Sequence, residues 1–469
     1  MSGTPPLPEE LWIRIPPDIQ AATLVLVHSF ETRIAELEAR LNRNSSNSST
    51  PPSAEPLHFK RKPPKPASKK RRGGQAGHER HLRTLVPADQ LAGSFDHKPE
   101  ACSGCGRQLD GHDHDPEPIR HQVAEVPEVR PEIVEHRLHR LSCPGCGVAT
   151  RAKLPDDVPG GRFGPRLQAW ASLLSGAFRL SKRQVQRLFA DLLGVSISTG
   201  MIAKLQRQAG EVLAEPMAEI LDAVRRADAV HVDETGWREA GQKAWLWVGV
   251  TADATAFQIH RSRGFDALKS LLGEDPGQAQ VLISDRFPTY ARALNRQLCW
   301  SHLRRDFQAM IDRGSGGESV GRKLLEQSNW IFRWWRRLGR GLLARSTLRS
   351  YASGLRRTVG HLLGEGAACP CAWTSKVCRK LLESQRHLWT FAEVEGVAPE
   401  NNAAERALRH AVIWRKLSLG TASETGSRFV ERMLSVVETC RSRGRDVAAY
   451  LTACFQAKQS GLPIPSPMA

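Results

Sequence analysis

Three acidic residues stand in settings suited to phosphoryl-transfer chemistry: Asp233 in AVHVDETGW, Asp285 in VLISDRFPTY and Glu405 in PENNAAERALRH. The first two follow short apolar runs that read as buried strands, and both are expected at strand ends. Glu405 is expected to open a helix. Two strand-end aspartates and a helical glutamate are the oxygen donors needed to hold two divalent metals, with magnesium or manganese suited and zinc unsuited. Each acid also has an ordinary role open to it. Asp285 can cap the turn before Pro288, Glu405 can form a capping-box variant with Asn402 or pair with Arg409, and Glu234 can be the ligand in place of Asp233.

A second chemistry is written in cysteine. Cys102-Ser-Gly-Cys105-Gly is answered by Cys143-Pro-Gly-Cys146-Gly, and each pair turns tightly because glycine tolerates the required backbone angles. Four thiolates in two such knuckles make the tetrahedral set of one structural zinc. The run IRHQVAEVPEVRPEIVEHRLHRL between them alternates in a way that suggests a small sheet, so residues 86–155 are expected to be a zinc ribbon. His112, His114, His121, His136 and His139 lie nearby, and none is assigned as a ligand.

The elements that must position these groups follow from periodicity. ADAVHVDE, the two halves of KAWLWVGVTADATAFQIH, AQVLISD and RQLCW read as strands, and the last runs into a basic helix. These segments place an α/β catalytic domain over 225–310 and 395–420, with a helical insertion over 311–394 and a C-terminal helical segment over 421–469. Within the insertion, Trp330, Trp334, Trp335, Leu338 and Leu342 share one face, opposite Arg333, Arg336, Arg337 and Arg340. That arginine face is equally that of a DNA-backbone contact and of a solvated helix.

Upstream, residues 160–212 outline a helix-turn-helix. Its second helix is expected from Ser181 to near Leu193, and its third from near Ser198, carrying Lys204 and Arg207 toward a major groove. Residues 1–44 hold a helix with a heptad-like seam of Val27, Phe30, Ile34, Leu37 and Leu41, suited either to its own protein or to a dimer coil. NSSNSSTPPS opens a disordered basic linker over 45–85, because it has too little apolar surface to order itself. The linker carries Lys60, Arg61, Lys62, Lys65, Lys69, Lys70, Arg71 and Arg72, a run suited to phosphate contact.

Composition agrees. The 469 residues carry 67 lysine plus arginine against 49 aspartate plus glutamate, a formal charge of +18 that favours nucleic acid or an anionic membrane surface as partner. No apolar run approaches the ~20 residues of a spanning helix. The ten cysteines are therefore expected as reduced cytosolic thiols, available to metal.

In the order NSSNSSTPPS, GGQAGH, the paired CxxCG knuckles, VDETGW, CWSHLRRDF, NNAAERALR and KLSLGTASETGSRFVERMLSVVETCRSRG, the chain resembles the bacterial insertion sequence 66 family of DDE transposases. The resemblance implies a multidomain α/β protein with an RNase H-like catalytic domain carrying a helical insertion, preceded by an N-terminal helix, a zinc ribbon and a helix-turn-helix. It implies that Asp233, Asp285 and Glu405 form the triad holding two magnesium or manganese ions, and that the enzyme cuts transposon ends and joins them to target DNA. It further implies binding of terminal inverted repeats, at least a dimer, companion proteins from the same element, and a cytoplasmic, nucleoid-associated location. Cys299 and His302 in CWSHL resemble a C-x2-H signature of several transposase families and are expected to support the structure. Two positions depart from the pattern: RFPTY after Asp285 replaces a glycine-rich turn, and Glu400 stands where aspartate is usual.

Three other classes compete. A structure-selective nuclease would use the same acids without joining strands. A non-catalytic DNA-binding descendant would lack a triad residue, and all three are present. A zinc deaminase needs His-x-Glu and Pro-Cys-x-x-Cys, which neither knuckle supplies.

Overall fold

A computed structural model describes residues 7–48, 84–109, 117–156 and 158–469. The chain divides into two compact units, Met1–Pro56 with Glu132–Ala469, and Leu57–Pro131. The division passes between the two cysteine knuckles.

In the larger unit, helices α1 (Glu9–Trp12) and α2 (Pro17–Leu41) lead the chain. Phe30, Ile34, Leu37 and Leu41 of the expected seam are exposed, so α2 does not bury that seam against the rest of this chain. The start of the expected disordered linker is instead a compact turn. The Asn44 side chain accepts from Ser46 N at 2.8 Å, Asn47 Oδ1 accepts from Asn44 N at 2.9 Å, and Asn47 Nδ2 donates to Asp312 at 3.0 Å. Apolar burial is not needed there, because Asn and Ser side chains satisfy the local backbone themselves.

Strands β1 (Arg140–Ser142) and β2 (Ala149–Arg151) pair antiparallel around the second knuckle. No strand forms over residues 117–139, contrary to the expected small sheet. Alternation there has no layer to pack on: Ile119, Val123, Val126, Ile133 and Val134 are all exposed. In the smaller unit the first knuckle is closed by a bridge between Ala101 and Gln108, while Gln122 bonds both backbone groups of Val86.

Helices α3 (Pro165–Ser175), α4 (Lys182–Leu193) and α5 (Thr199–Val212) follow. Ser181 and Gln184 form a full capping box on α4, which ends at Gly194 in the left-handed conformation, and Ser198 caps α5. Phe189, Ile202 and Leu205 are the centre of their common core. Helix α6 (Ala214–Arg226) then leads into the sheet.

Strands β3 (Ala229–Glu239), β4 (Gln242–Val250) and β5 (Thr255–His260) form an antiparallel meander. The tight turn between β3 and β4 uses Ala240 and Gly241, both at positive φ, as a two-residue hairpin requires. After α7 (Phe265–Leu272), β6 (Val281–Ser284) and β7 (Arg296–Leu298) add in parallel on the other side of β3, giving the order β5-β4-β3-β6-β7. Every residue of β6 is buried, as a parallel strand covered on both faces should be.

Helices α8 (Trp300–Arg313), α9 (Glu318–Gly339), α10 (Arg345–Ala367), α11 (Ala372–Glu383) and α12 (Thr390–Glu393) build a second core around Trp300, Phe307, Ile331, Leu355 and Trp389. Ile283 and Leu298 join this core, so the helical layer is continuous with the sheet. The apolar face of α9 is narrower than its periodicity suggests. Trp334, Trp335 and Leu338 pack on the core, Trp330 is exposed, and the exposed Leu342 lies beyond the helix end at Gly339. Helices α13 (Asn402–Ser418), α14 (Glu424–Ser442) and α15 (Val447–Gln459) close the chain, and α13 and α14 contribute to the main core with β3, β4 and β5.

Candidate active site

Asp233 is not at a strand end. It lies inside β3, paired with Val248 of β4. On its other side, however, the parallel pairing with β6 stops at His231, opposite Ile283. Beyond that point β3 has lost one neighbour, and this opens the edge where Asp233 stands. Continuing the same register by two residues sets Asp285, which directly follows β6, level with Asp233 on the adjacent strand. Asp285 also holds its own turn, accepting from Phe287 N at 2.8 Å, so the ordinary role expected of it is present as well.

Glu405 sits in the first turn of α13. The alternatives foreseen for it do not form. Asn401 rather than Asn402 is the N-cap, without a side-chain capping bond, and the basic groups near Glu405 are His302 and Arg305 rather than Arg409. Its Oε1 is buried without a hydrogen-bond partner, 3.7 Å from His302 Nδ1 and 4.0 Å from Arg305 Nη2. Both separations are too long for hydrogen bonds. His302 Nδ1 is likewise buried and unsatisfied.

Electrostatics ties the three acids together. Burial pushes the Asp233 carboxyl well above the ordinary aspartate range, and the neighbouring charges of Glu234, Asp285 and Glu405 push it further. Burial and then the Arg305 charge hold His302 below the usual histidine value. The Cys299 thiol is pushed up to about 12 by burial and accepts from Asn401 N at 3.1 Å. Cys299, His302 and Glu405 form a group whose donor atoms lie within 4.8 Å of one another.

Glu234 has partners of its own. Its carboxylate accepts from Arg263 Nε at 2.8 Å and from the Tyr290 hydroxyl. Arg263 in turn lies over the rings of Trp245 and Phe287, 4.5 and 3.7 Å from their centroids. Phe287 belongs to the RFPTY segment that departs from the family pattern, so the departure supplies one wall of this arginine's slot.

Asn401 was not singled out as a site residue, yet it is the junction of the site. Its Nδ2 donates to Val232 O at 2.8 Å, its Oδ1 lies 3.1 Å from His231 Nδ1, and its carbonyl accepts from Glu405 N at 3.2 Å. The sequence signal was its place at the head of NNAAERALR. Arg305, in CWSHLRRDF, was missed because nothing local distinguishes it from Arg304.

The remaining expected residues are more scattered. Lys204 and Arg207 are exposed on α5. Lys60, Arg61, Lys62, Lys69, Lys70, Arg71 and Arg72 lie outside the described residues. Each knuckle is built alike: Gly106 and Gly147 take positive φ, and their amides donate back to Cys102 O and Cys143 O at 2.9 Å. Backbone hydrogen bonds at Gly104 and Cys105 lower the Cys102 thiol, and those at Cys146 and Gly145 lower the Cys143 thiol.

Fold and site together define a multidomain α/β protein with a buried acidic centre beneath a basic surround. The family described as Transposase IS66 family matches residues 160–428, more than half of the 469 residues. The chain belongs to that family, and it is thereby a transposase, an enzyme that acts on DNA. Residues 6–84 match a family of unknown function, DUF6444. Over 467 residues the chain is 23% identical to an uncharacterized protein, y4qI, of Sinorhizobium fredii, covering 92% of this chain and 80% of the relative. Among the described residues no helix is long and apolar enough to cross a membrane.

Proposed function

We propose that the protein is a DDE transposase that binds the terminal inverted repeats of an insertion sequence and catalyses metal-dependent strand cleavage and strand transfer. The observation that carries this reading is the convergence of Asp233, Asp285 and Glu405: the Asp233 carboxyl is raised first by burial, then by Glu234, and also by the charges of Asp285 and Glu405. A strand order in which the first strand of the sheet lies at the centre, with an antiparallel meander through β4 and β5 on one side and two parallel strands on the other, supports the RNase H-like assignment.

The donor set fits divalent metal. Three carboxylates that repel one another, one with an orphaned buried oxygen, are relieved by cations. Asp233, Asp285 and Glu405 would hold two magnesium or manganese ions. The chemistry supplied by such a pair when bound is activation of the attacking oxygen and stabilisation of the leaving one. The chain's own part is positional. Adjacent strands set the two aspartates level, Asn401 ties β3 to the start of α13, and Glu234 is held by Arg263 and Tyr290.

For the accessory parts, each knuckle, Cys102 with Cys105 and Cys143 with Cys146, offers two thiolates to structural zinc, supported by their matching turns. The helix-turn-helix presents Lys204 and Arg207 to DNA, and the basic linker adds phosphate contacts. The exposed seam on α2 supports pairing with a second copy during synapsis of two ends.

The test is a cleavage and strand-transfer assay with magnesium on DNA bearing the element's own ends, comparing wild type with Asp233→Ala, Asp285→Ala and Glu405→Ala. Joined products from wild type and none from the variants are expected. Cutting without joining favours the nuclease reading, and variants that cut normally reject the triad.

A further inference from the structure

Beside the acidic centre, α8, α9 and the start of α13 flank an open cleft of about 800 Å³ that no step of cleavage or end recognition uses. Arg304, Arg305, Arg333 and Arg336 line it together with Phe332 and Trp335. We propose that this cleft binds an unpaired DNA strand leading away from the scissile phosphate. The proposal rests on the transposase reading above, because it takes Glu405 to mark the reacting end.

The cleft begins at the site, since Arg305 stands 4.0 Å from the Glu405 carboxylate. Its charge is one-sided. Four guanidinium groups face one acid, Glu400, which accepts from Ser301 Oγ at 3.2 Å. Arg304 is preorganised, donating to Asn329 Oδ1 at 2.7 Å, to Leu325 O at 3.4 Å and to the Ser328 hydroxyl. Arg336 uses Nε on Phe332 O at 3.2 Å, and both Arg333 and Arg336 are exposed. Planar guanidinium forks match phosphate oxygens better than point charges do.

The aromatic rings select the kind of strand. Phe332 and Trp335 are half-buried, with part of each side chain reachable from the cleft. In a duplex the faces of each base are covered by its neighbours, so aromatic walls gain little. An unpaired strand offers bare base faces, and stacking on them tolerates any sequence. The volume accommodates nucleotide-sized groups.

The test uses the full chain without added magnesium, so that binding is read independently of cutting. Fluorescence anisotropy compares a blunt duplex with the same duplex carrying an unpaired tail, for wild type and for the double variant Arg333→Ala, Arg336→Ala. Both positions are exposed, and a thermal melt confirms that the variant folds. The expected result is a preference of wild type for the tailed DNA that the double variant loses, by on the order of tenfold. On a single-stranded oligonucleotide the slope of log affinity against log salt should fall by about 1.4 for two lost phosphate contacts. Equal binding of blunt and tailed DNA by wild type, or equal weakening of both in the variant, overturns the proposal. So does competition by polyglutamate as strong as that by the unpaired strand, which would indicate an acidic protein partner. A wild type that prefers tailed DNA yet never cuts supports the cleft and rejects the catalytic reading alone.

Discussion

The side-chain amide of Asn401 donates a 2.8 Å hydrogen bond to the carbonyl of Val232, joining the cap of α13 to the residue preceding Asp233. The two positions are 169 residues apart in sequence. Asn401 is buried, so every bond it makes is made away from water. Truncating Asn401→Ala should cost about 2–4 kcal/mol by leaving Val232 O and His231 without their partner. Chemical denaturation reads the loss, and Asn401→Asp, which keeps the shape but removes the donor, should also destabilise. An alanine variant as stable as wild type would remove this junction from the argument.

Asp233 is buried and held among like charges, so its ionised form carries a cost that, on the proposed reading, metal relieves. Asp233→Asn should raise the thermal midpoint in the absence of divalent cations, by about 2 °C or more, while abolishing cleavage. Addition of magnesium or manganese should stabilise wild type and leave the variant unmoved. A thermal shift titration at pH 8 decides this. A variant that melts earlier than wild type without metal would show that neither burial of the charge nor repulsion decides the stability at Asp233.

Gly420 takes φ +116, and an added Cβ would strike the carbonyl of Arg238. Around it Thr421 N donates to Arg238 O at 2.9 Å and Ala240 N donates to Thr421 O at 2.8 Å, pinning the end of α13 to the end of β3. Gly420→Ala should cost about 2 kcal/mol or more through backbone strain. If urea midpoints of the two proteins coincide, the close approach is not required.

Glu431 is buried on α14 and accepts from Ile259 N at 2.5 Å, with Arg428 at 3.1 Å. Burial raises its carboxyl to about 7. A folded value above the unfolded one means that this contribution to stability is full below the ordinary glutamate value of 4.5 and is lost as pH rises through 7. The loss is on the order of 3 kcal/mol. Glu431→Gln should therefore flatten the decline in stability between pH 5 and pH 8, as measured by denaturation at each pH. An unchanged slope would place the titration elsewhere.

Much of the local structure was legible in the residues. Ser181 and Gln184 encode a helix start within four positions, and VLIS ahead of Asp285 reads as a buried strand because Val281, Leu282 and Ile283 form an unbroken apolar run. Other features were not local. Residues 44–48 looked structureless because their order comes from side chains bonding their own backbone and Asp312, not from apolar burial. The run 117–139 looked like strands because alternation signals a face, yet a face becomes a strand only when something covers it.

The sequence by itself determined which acids, thiols and basic runs this transposase carries, and where most of its helices begin, because those depend on residue type and short-range spacing. Only the tertiary structure decided that, of the neighbouring acids Asp233 and Glu234, it is Glu234 that meets Arg263 and Tyr290. Alternation along a strand puts them on opposite sides, but which side is which depends on the pairing of β3 with β4 and β6. It likewise decided that Asn401 and Arg305 matter, because bonds and charges between segments far apart in the chain leave no periodic trace in either one.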